Sequence, residues 1–204
     1  MKKLANIDYV SYDSMIIVYY YFNINKNRII EFSEKSHRLT EFLINNNTKI
    51  IVPSFLISEI KRKDTMEMIS KYISTKQITN IPPKPNPTIK LGLDFKFKTK
   101  FNQLLKKEWF IVEKYDPPKE LYDPLEDFFN QLINDAKIKN FLKKKRRDTV
   151  MPSFEDLGLM AFSKDKEYPI ISNDNDLTFF ADELYKKKLT YLIYNFNDLD
   201  IYNN

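Results

Sequence analysis

The chain has 204 residues, a length that suits one domain, or one domain with an elaborate insertion. Hydrophobic residues make up 43% and aromatics 15%, too apolar for general disorder, while 33 Lys and Arg against 28 Asp and Glu leave a net charge of +5 that permits an anionic partner without requiring one. The absence of cysteine excludes disulfides and thiolate metal sites, and the single histidine, His37, in a polar stretch is expected at the surface, which argues against histidine zinc sites and Ser-His-Asp catalysis. Chemistry is left to carboxylates, hydroxyls, Lys, Arg or Tyr.

The start Met1-Lys-Lys imitates the basic end of a signal peptide, but Asp8 and Asp13 interrupt the apolar core it would need. The run from Met15 to Phe22 is too short to span a bilayer. A cytoplasmic protein without a membrane partner is the expectation.

Tyr9 to Val18, rich in β-branched and aromatic residues, predicts a buried strand before the chain continues helically. Arg28 to Ile44 carries a broken helical pattern through Ile29, Ile30, Phe32, Leu39, Phe42, Leu43 and Ile44, and Asn45 to Thr48 is a turn signal. Lys49 to Val52 predicts a short strand, after which Ser54 caps a helix running to about Asp64. Ile81-Pro-Pro-Lys-Pro-Asn-Pro87 reads as a stiff connector. Leu91 to Phe101 alternates apolar and polar residues at period two, predicting a half-exposed strand with Lys96, Lys98 and Lys100 on one face, either a solvated edge or a nucleic-acid track.

Beyond a turn at Tyr115 to Pro118, Asp123, Pro124 and Glu126 read as the N-cap, first position and capping-box partner of a helix whose buried face is Leu125, Phe128, Phe129, Leu132, Ile133 and Ala136. The cluster Lys143, Lys144, Lys145, Arg146 and Arg147 ends it, either as cations complementing a helix terminus or as a phosphate-binding patch. A helix at Ser153 to Ser163, a strand at Tyr168 to Ser172, a helix at Leu177 to Lys187 and a strand at Leu189 to Tyr194 complete the chain. Alternation of this kind predicts parallel pairing in an α/β sandwich. Gly92 and Gly158 are the only glycines, which excludes dinucleotide and P-loop motifs, and Asp174-Asn-Asp176 lacks the glycine and closing glutamate of an EF-hand.

Acidic residues mark the ends of apolar runs or the starts of helices: Asp13, Glu59, Asp156, and Asp174 with Asp176. Each has an ordinary reading as a turn residue, an exposed helix position or a cap. Together they place carboxylates where parallel α/β sheets bind ligands; without a cation their mutual repulsion would raise their pKa values, and a divalent ion would remove that penalty.

In Tyr12-Asp-Ser-Met-Ile-Ile, Val52-Pro-Ser-Phe-Leu-Ile-Ser-Glu-Ile, Ser153-Phe-Glu-Asp-Leu-Gly-Leu-Met-Ala-Phe and Ile170-Ile-Ser-Asn-Asp-Asn-Asp-Leu, the order of acids resembles the PIN-domain nuclease family. The likeness covers roughly residues 6–62 and 148–196. It implies a single domain spanning 1–204, a three-layer α/β/α sandwich with a mainly parallel sheet, and a strand and helix insertion near 65–147 that small PIN toxins lack. It also implies a Mg²⁺- or Mn²⁺-dependent endoribonuclease whose main acids and metal ligands are Asp13, Glu59, Asp156 and Asp174. Asp176 would be an auxiliary ligand, with Ser14 and Ser172 as neighbouring hydroxyls. RNA is the implied partner; an antitoxin protein, for a toxin of a toxin–antitoxin pair, and a second copy of the chain are further candidates. A narrower likeness, through Asp174, Leu177, Phe180-Ala-Asp182 and the preceding long helix, is to compact protein-only tRNA 5′-processing nucleases. The alternative is a non-catalytic RNA- or protein-binding module on the same fold.

Overall fold

The computed structural model describes residues 4, 6–21, 28–61, 99, 101–132 and 151–199. Five strands form one parallel sheet: β1 (Tyr9–Tyr12), β2 (Lys49–Pro53), β3 (Phe110–Glu113), β4 (Ile170–Ser172) and β5 (Ile193–Asn195), in the order β3-β2-β1-β4-β5. The helices are α1 (Ser14–Tyr21), α2 (Arg28–Asn45), α3 (Ser54–Lys61), α4 (Lys119–Gln131), α5 (Phe154–Lys166), α6 (Asn175–Thr178) and α7 (Ala181–Lys186), followed by a 3₁₀ turn at Phe196–Asp198.

Side-chain alternation along the strands builds the two sides of the core. Ile50, Val52, Val10, Tyr12 and Ile171 pack with Ile16 and Ile17 of α1 and Leu39 and Leu43 of α2. Ile51 and Ile170 point the other way, onto Leu125 and Phe129 of α4, Met160 and Phe162 of α5, and Leu184 of α7. Helices on both faces of a parallel sheet make a three-layer α/β/α sandwich.

Local departures from the sequence reading have physical causes. The β-branched run Ile16-Ile17-Val18 is helical, not strand: β1 stops at Tyr12, and the Asp13 carbonyl accepts the first helical N–H bonds, from Ile16 and Ile17. Ile16, Ile17, Val18 and Tyr19 are all buried, so tertiary packing outweighs the weak helix propensity of these residues. The pattern of α2 looked broken because its buried face also carries hydroxyls: Ser36 Oγ donates to the Ile16 carbonyl at 3.1 Å and Thr40 Oγ1 bonds the Tyr12 hydroxyl at 3.0 Å. His37 is half-buried, its ring 4.4 Å from that of Tyr20, rather than solvated.

The strand expected through Leu91–Phe101 is corrected where it is described: Thr99 and residues 101–104 are helical, and Phe101 and Leu104 bury one face at three-residue spacing. The strand that does join the sheet, β3, lies within the expected insertion, so that region supplies an edge of the core sheet. Helix α4 begins at Lys119 rather than at Asp123, because the Pro118 carbonyl accepts from Leu121 and Tyr122 and closes an earlier turn; Pro124 is thereby inside the helix. The helix expected over Leu177–Lys187 is two short ones, α6 and α7. The Pro-rich connector and the helix extension beyond Leu132 lie outside the described residues.

Phe129 is fully buried and meets Phe128 and Phe180 edge to face. Phe129→Ala is expected to lower unfolding free energy by about 3–5 kcal/mol in urea denaturation, with α4 losing its seat on the sheet.

Candidate metal-binding carboxylate site

Strand order fixes where the site lies. From β1 the chain moves outward through β2 to β3, then returns to place β4 and β5 on the other side of β1. The C-terminal ends of β1 and β4 therefore flank the point where the winding reverses, the crevice in which open parallel sheets bind ligands. Asp13 follows β1 and Asp174 follows β4.

These two acids, 161 positions apart, share one hydroxyl. Ser172 Oγ donates to Asp13 Oδ2 at 2.7 Å and accepts from the Asp174 N–H at 2.9 Å. Ser14 Oγ donates to Asp13 Oδ1 at 3.3 Å, and the Asp13 N–H bonds the Ile171 carbonyl. Asp13 is only 4% exposed. Asp174 caps α6: its Oδ1 accepts from the Asp176 N–H at 2.8 Å and its carbonyl from Thr178 Oγ1. Both expected hydroxyl positions, Ser14 and Ser172, thus touch Asp13.

Asp156 arrives from α5. It forms the capping box expected of Ser153-x-x-Asp: Ser153 N–H and Oγ both donate to Asp156 Oδ2, and Asp156 N–H donates back to Ser153 Oγ. Those bonds converge on Oδ2, so the cap leaves Oδ1 unused and the structural and chemical roles are compatible. Glu59 sits half-buried on α3. Gly158 of α5 lets the two helices approach, since a Cβ there would meet Cζ of Phe55, one turn before Glu59, at 2.9 Å.

Asp13 and Asp156 are both raised, by burial first and by neighbouring acids second. Burial pushes the Asp13 carboxyl up to about 6; the Ser172 hydrogen bond opposes this, and the charges of Asp174 and Glu59 add to it. Burial likewise raises Asp156 to about 7, reinforced by Asp13 and Asp174 and opposed by Ser153. Asp13 is thus within electrostatic reach of Asp174, Glu59 and Asp156, and Asp156 also of Asp174. Asp176 is buried beside Asp174 but is not among the main charges shifting Asp13 or Asp156.

Among the described residues, no three acid or imidazole side chains lie at ligand spacing as they stand. The donors nevertheless suit a hard cation in kind: carboxylates and hydroxyls, two of the acids destabilised in their charged form. Mg²⁺ typically takes one or two carboxylates and keeps several waters, and carboxylate oxygens are the donor kind it prefers. The expected nucleic-acid contacts Lys96, Lys98, Lys100, Lys143, Lys144, Lys145, Arg146 and Arg147 lie outside the described residues. The sequence reading passed over Asn173, whose side chain bonds the Tyr19 hydroxyl. No spacing signal could have found a pair so distant along the chain.

No family model, curated protein or solved structure matches this chain.

The raised carboxyls set a sign for pH dependence. Their folded values exceed the unfolded ones, so the neutral forms favour folding. The metal-free protein is expected to lose stability as pH rises from about 4 through 6 and 7, then to level off. Asp13→Asn, which keeps an acceptor for Ser172, should stabilise the metal-free protein by about 1–2 kcal/mol at pH 8 and by almost nothing at pH 4, measured by urea denaturation across that range.

Proposed function

We propose that this protein is a divalent-metal-dependent endoribonuclease of PIN type, hydrolysing RNA phosphodiester bonds at the β1–β4 crevice. The observation that carries the reading is the Ser172 bridge: it joins Asp13 to the Asp174 turn at the sheet's switch point, with Glu59 near enough to raise Asp13 and with Asp156 raised by both Asp13 and Asp174. Support also comes from the order of the acids along the chain and from the five-stranded parallel sheet, in which β1 and β4, the strands before Asp13 and Asp174, are neighbours.

Asp13 and Asp174 are the primary candidates to hold Mg²⁺ or Mn²⁺, with Asp156 Oδ1 and Glu59 as further oxygen donors and Asp176 as an outer acid. Bound there, the cation would supply charge neutralisation for the phosphodiester and activation of water. Ser172 fixes the direction of the Asp13 carboxylate by donating to Oδ2, while Ser14 steadies Oδ1. Because the carboxyls of Asp13 and Asp156 are raised toward neutrality without a cation, proton and metal ion would compete for them in that pH range.

The measurement is cleavage of a labelled single-stranded RNA and a structured RNA by wild type, Asp13→Asn and Asp174→Asn, with Mn²⁺, Mg²⁺ or EDTA. Wild type should cleave only with the divalent ion, and each variant should be slower by at least about 100-fold, the scale of losing one electrostatic group at a reacting centre. At limiting Mn²⁺ the wild-type rate should rise with pH through about 6–7 as Asp13 and Asp156 ionise. Cleavage that is equal in variants and parent sinks the proposal. RNA binding that falls steeply with salt and ignores EDTA, without cleavage, would favour a non-catalytic binding module.

A further inference from the structure

Beside the carboxylates lies a hydrogen-bonded chain of side chains from four parts of the fold. Asn173, between Ser172 and Asp174, donates through Nδ2 to the Tyr19 hydroxyl at 3.2 Å and accepts through Oδ1 from Asn197 Nδ2. Asn197 is preset by the 3₁₀ turn, where its N–H bonds Asn195 Oδ1 at 2.9 Å. Its carbonyl accepts from Lys35 Nζ at 2.9 Å. Lys35 is 8% exposed, and its ammonium lies 5.2 Å from the centre of the Phe196 ring.

We infer that Tyr19, Asn173, Asn197 and Lys35 are positioning residues: together they hold the Ser172–Asp174 turn, and through it the Asp13 and Asp174 carboxylates, in the arrangement that a divalent ion needs. This rests on the metal-dependent reading above.

Three features favour that role over ordinary packing. An amide fixed at both its donor and its acceptor end has one orientation, and Asn173 is fixed at both. Its two chain neighbours are Ser172, which donates to Asp13, and Asp174 itself. Helix α1 closes the circuit, because the Asp13 carbonyl accepts its first N–H bonds and Tyr19 lies on the same helix, so one rigid element connects the head of the site to its brace. A buried lysine is costly unless satisfied. Here its hydrogen bond to the Asn197 carbonyl and its place on the Phe196 ring anchor the far end of the chain.

The test uses the full chain, Mn²⁺ as the probe, and Tyr19→Phe and Asn173→Ala as variants; the first removes a single hydroxyl and should fold. Free Mn²⁺ is followed by electron paramagnetic resonance, and backbone exchange over residues 172–176 by mass spectrometry. Each variant is expected to weaken Mn²⁺ binding by about 10–100-fold, the usual effect of removing support for a ligand. Exchange over that segment should accelerate, kcat on RNA should fall by a similar factor with KM unchanged, and the double variant should match the singles, because they break one connection. If Tyr19→Phe keeps wild-type Mn²⁺ affinity and exchange, the inference is overturned, whatever Asp13→Asn does. If wild type binds no Mn²⁺ and Asp13→Asn cleaves RNA as wild type does, the catalytic reading fails, and the role assigned to these residues toward an ion falls with it. Faster exchange in Tyr19→Phe would then show only that they brace the turn.

Discussion

Everything at the crevice depends on one buried carboxylate being held by a hydroxyl that belongs to the neighbouring strand. Asp13 is nearly sealed from solvent, and a charge in that position is stable only if its surroundings compensate it. Ser172 compensates in part, donating to Asp13 while taking the Asp174 N–H. The same oxygen thereby registers β1 against β4 and sets the turn that presents Asp174. Its help is incomplete: the Asp13 carboxyl remains raised, as does that of Asp156, because burial and like charge outweigh the hydrogen bonds. On the metal-dependent reading proposed above, a bound cation would relieve this penalty.

The sheet makes the penalty sustainable. Its central strands are sandwiched between two apolar layers, one built with α1 and α2 and the other with α4, α5 and α7. Asp13 and Asp174 follow the strand ends and belong to neither layer, so the core need not accommodate them. Helix α1 serves both needs: its apolar body seals one face, its head starts at Asp13, and its Tyr19 braces the turn before Asp174. Helix α5 does likewise, with its capping box seating Asp156 at the rim and Met160 and Phe162 in the core.

Much of this was legible in the residues. Alternating apolar runs and helical stretches specified parallel α/β pairing, because buried strands and capped helices leave strong local signals at Lys49–Pro53, Ser153–Asp156 and Ile170–Ser172. The acids were conspicuous because charges beside such runs are costly. Less legible were the places where local preference lost to packing. Ile16-Ile17-Val18 favours strand locally but is helical once buried, and the alternation ending at Phe101 gave way to a helical face shared with Leu104. Phe110–Glu113 is too short and too mixed to announce itself, and it is a strand because Ile50 to Pro53 offer it partners.

The sequence by itself determined which chemistry was open: carboxylates and hydroxyls, without cysteine and with a single histidine, set at the borders of buried elements. Those are properties of composition and short-range pattern. Only the tertiary structure decided that Ser172 bridges Asp13 and Asp174, that Glu59 comes within reach of Asp13 and Asp156 within reach of both, and that Asn197 links Lys35 to Asn173. Contacts between residues more than a hundred positions apart are set by strand order and by which helical face is buried, and neither is written in any local stretch of the chain.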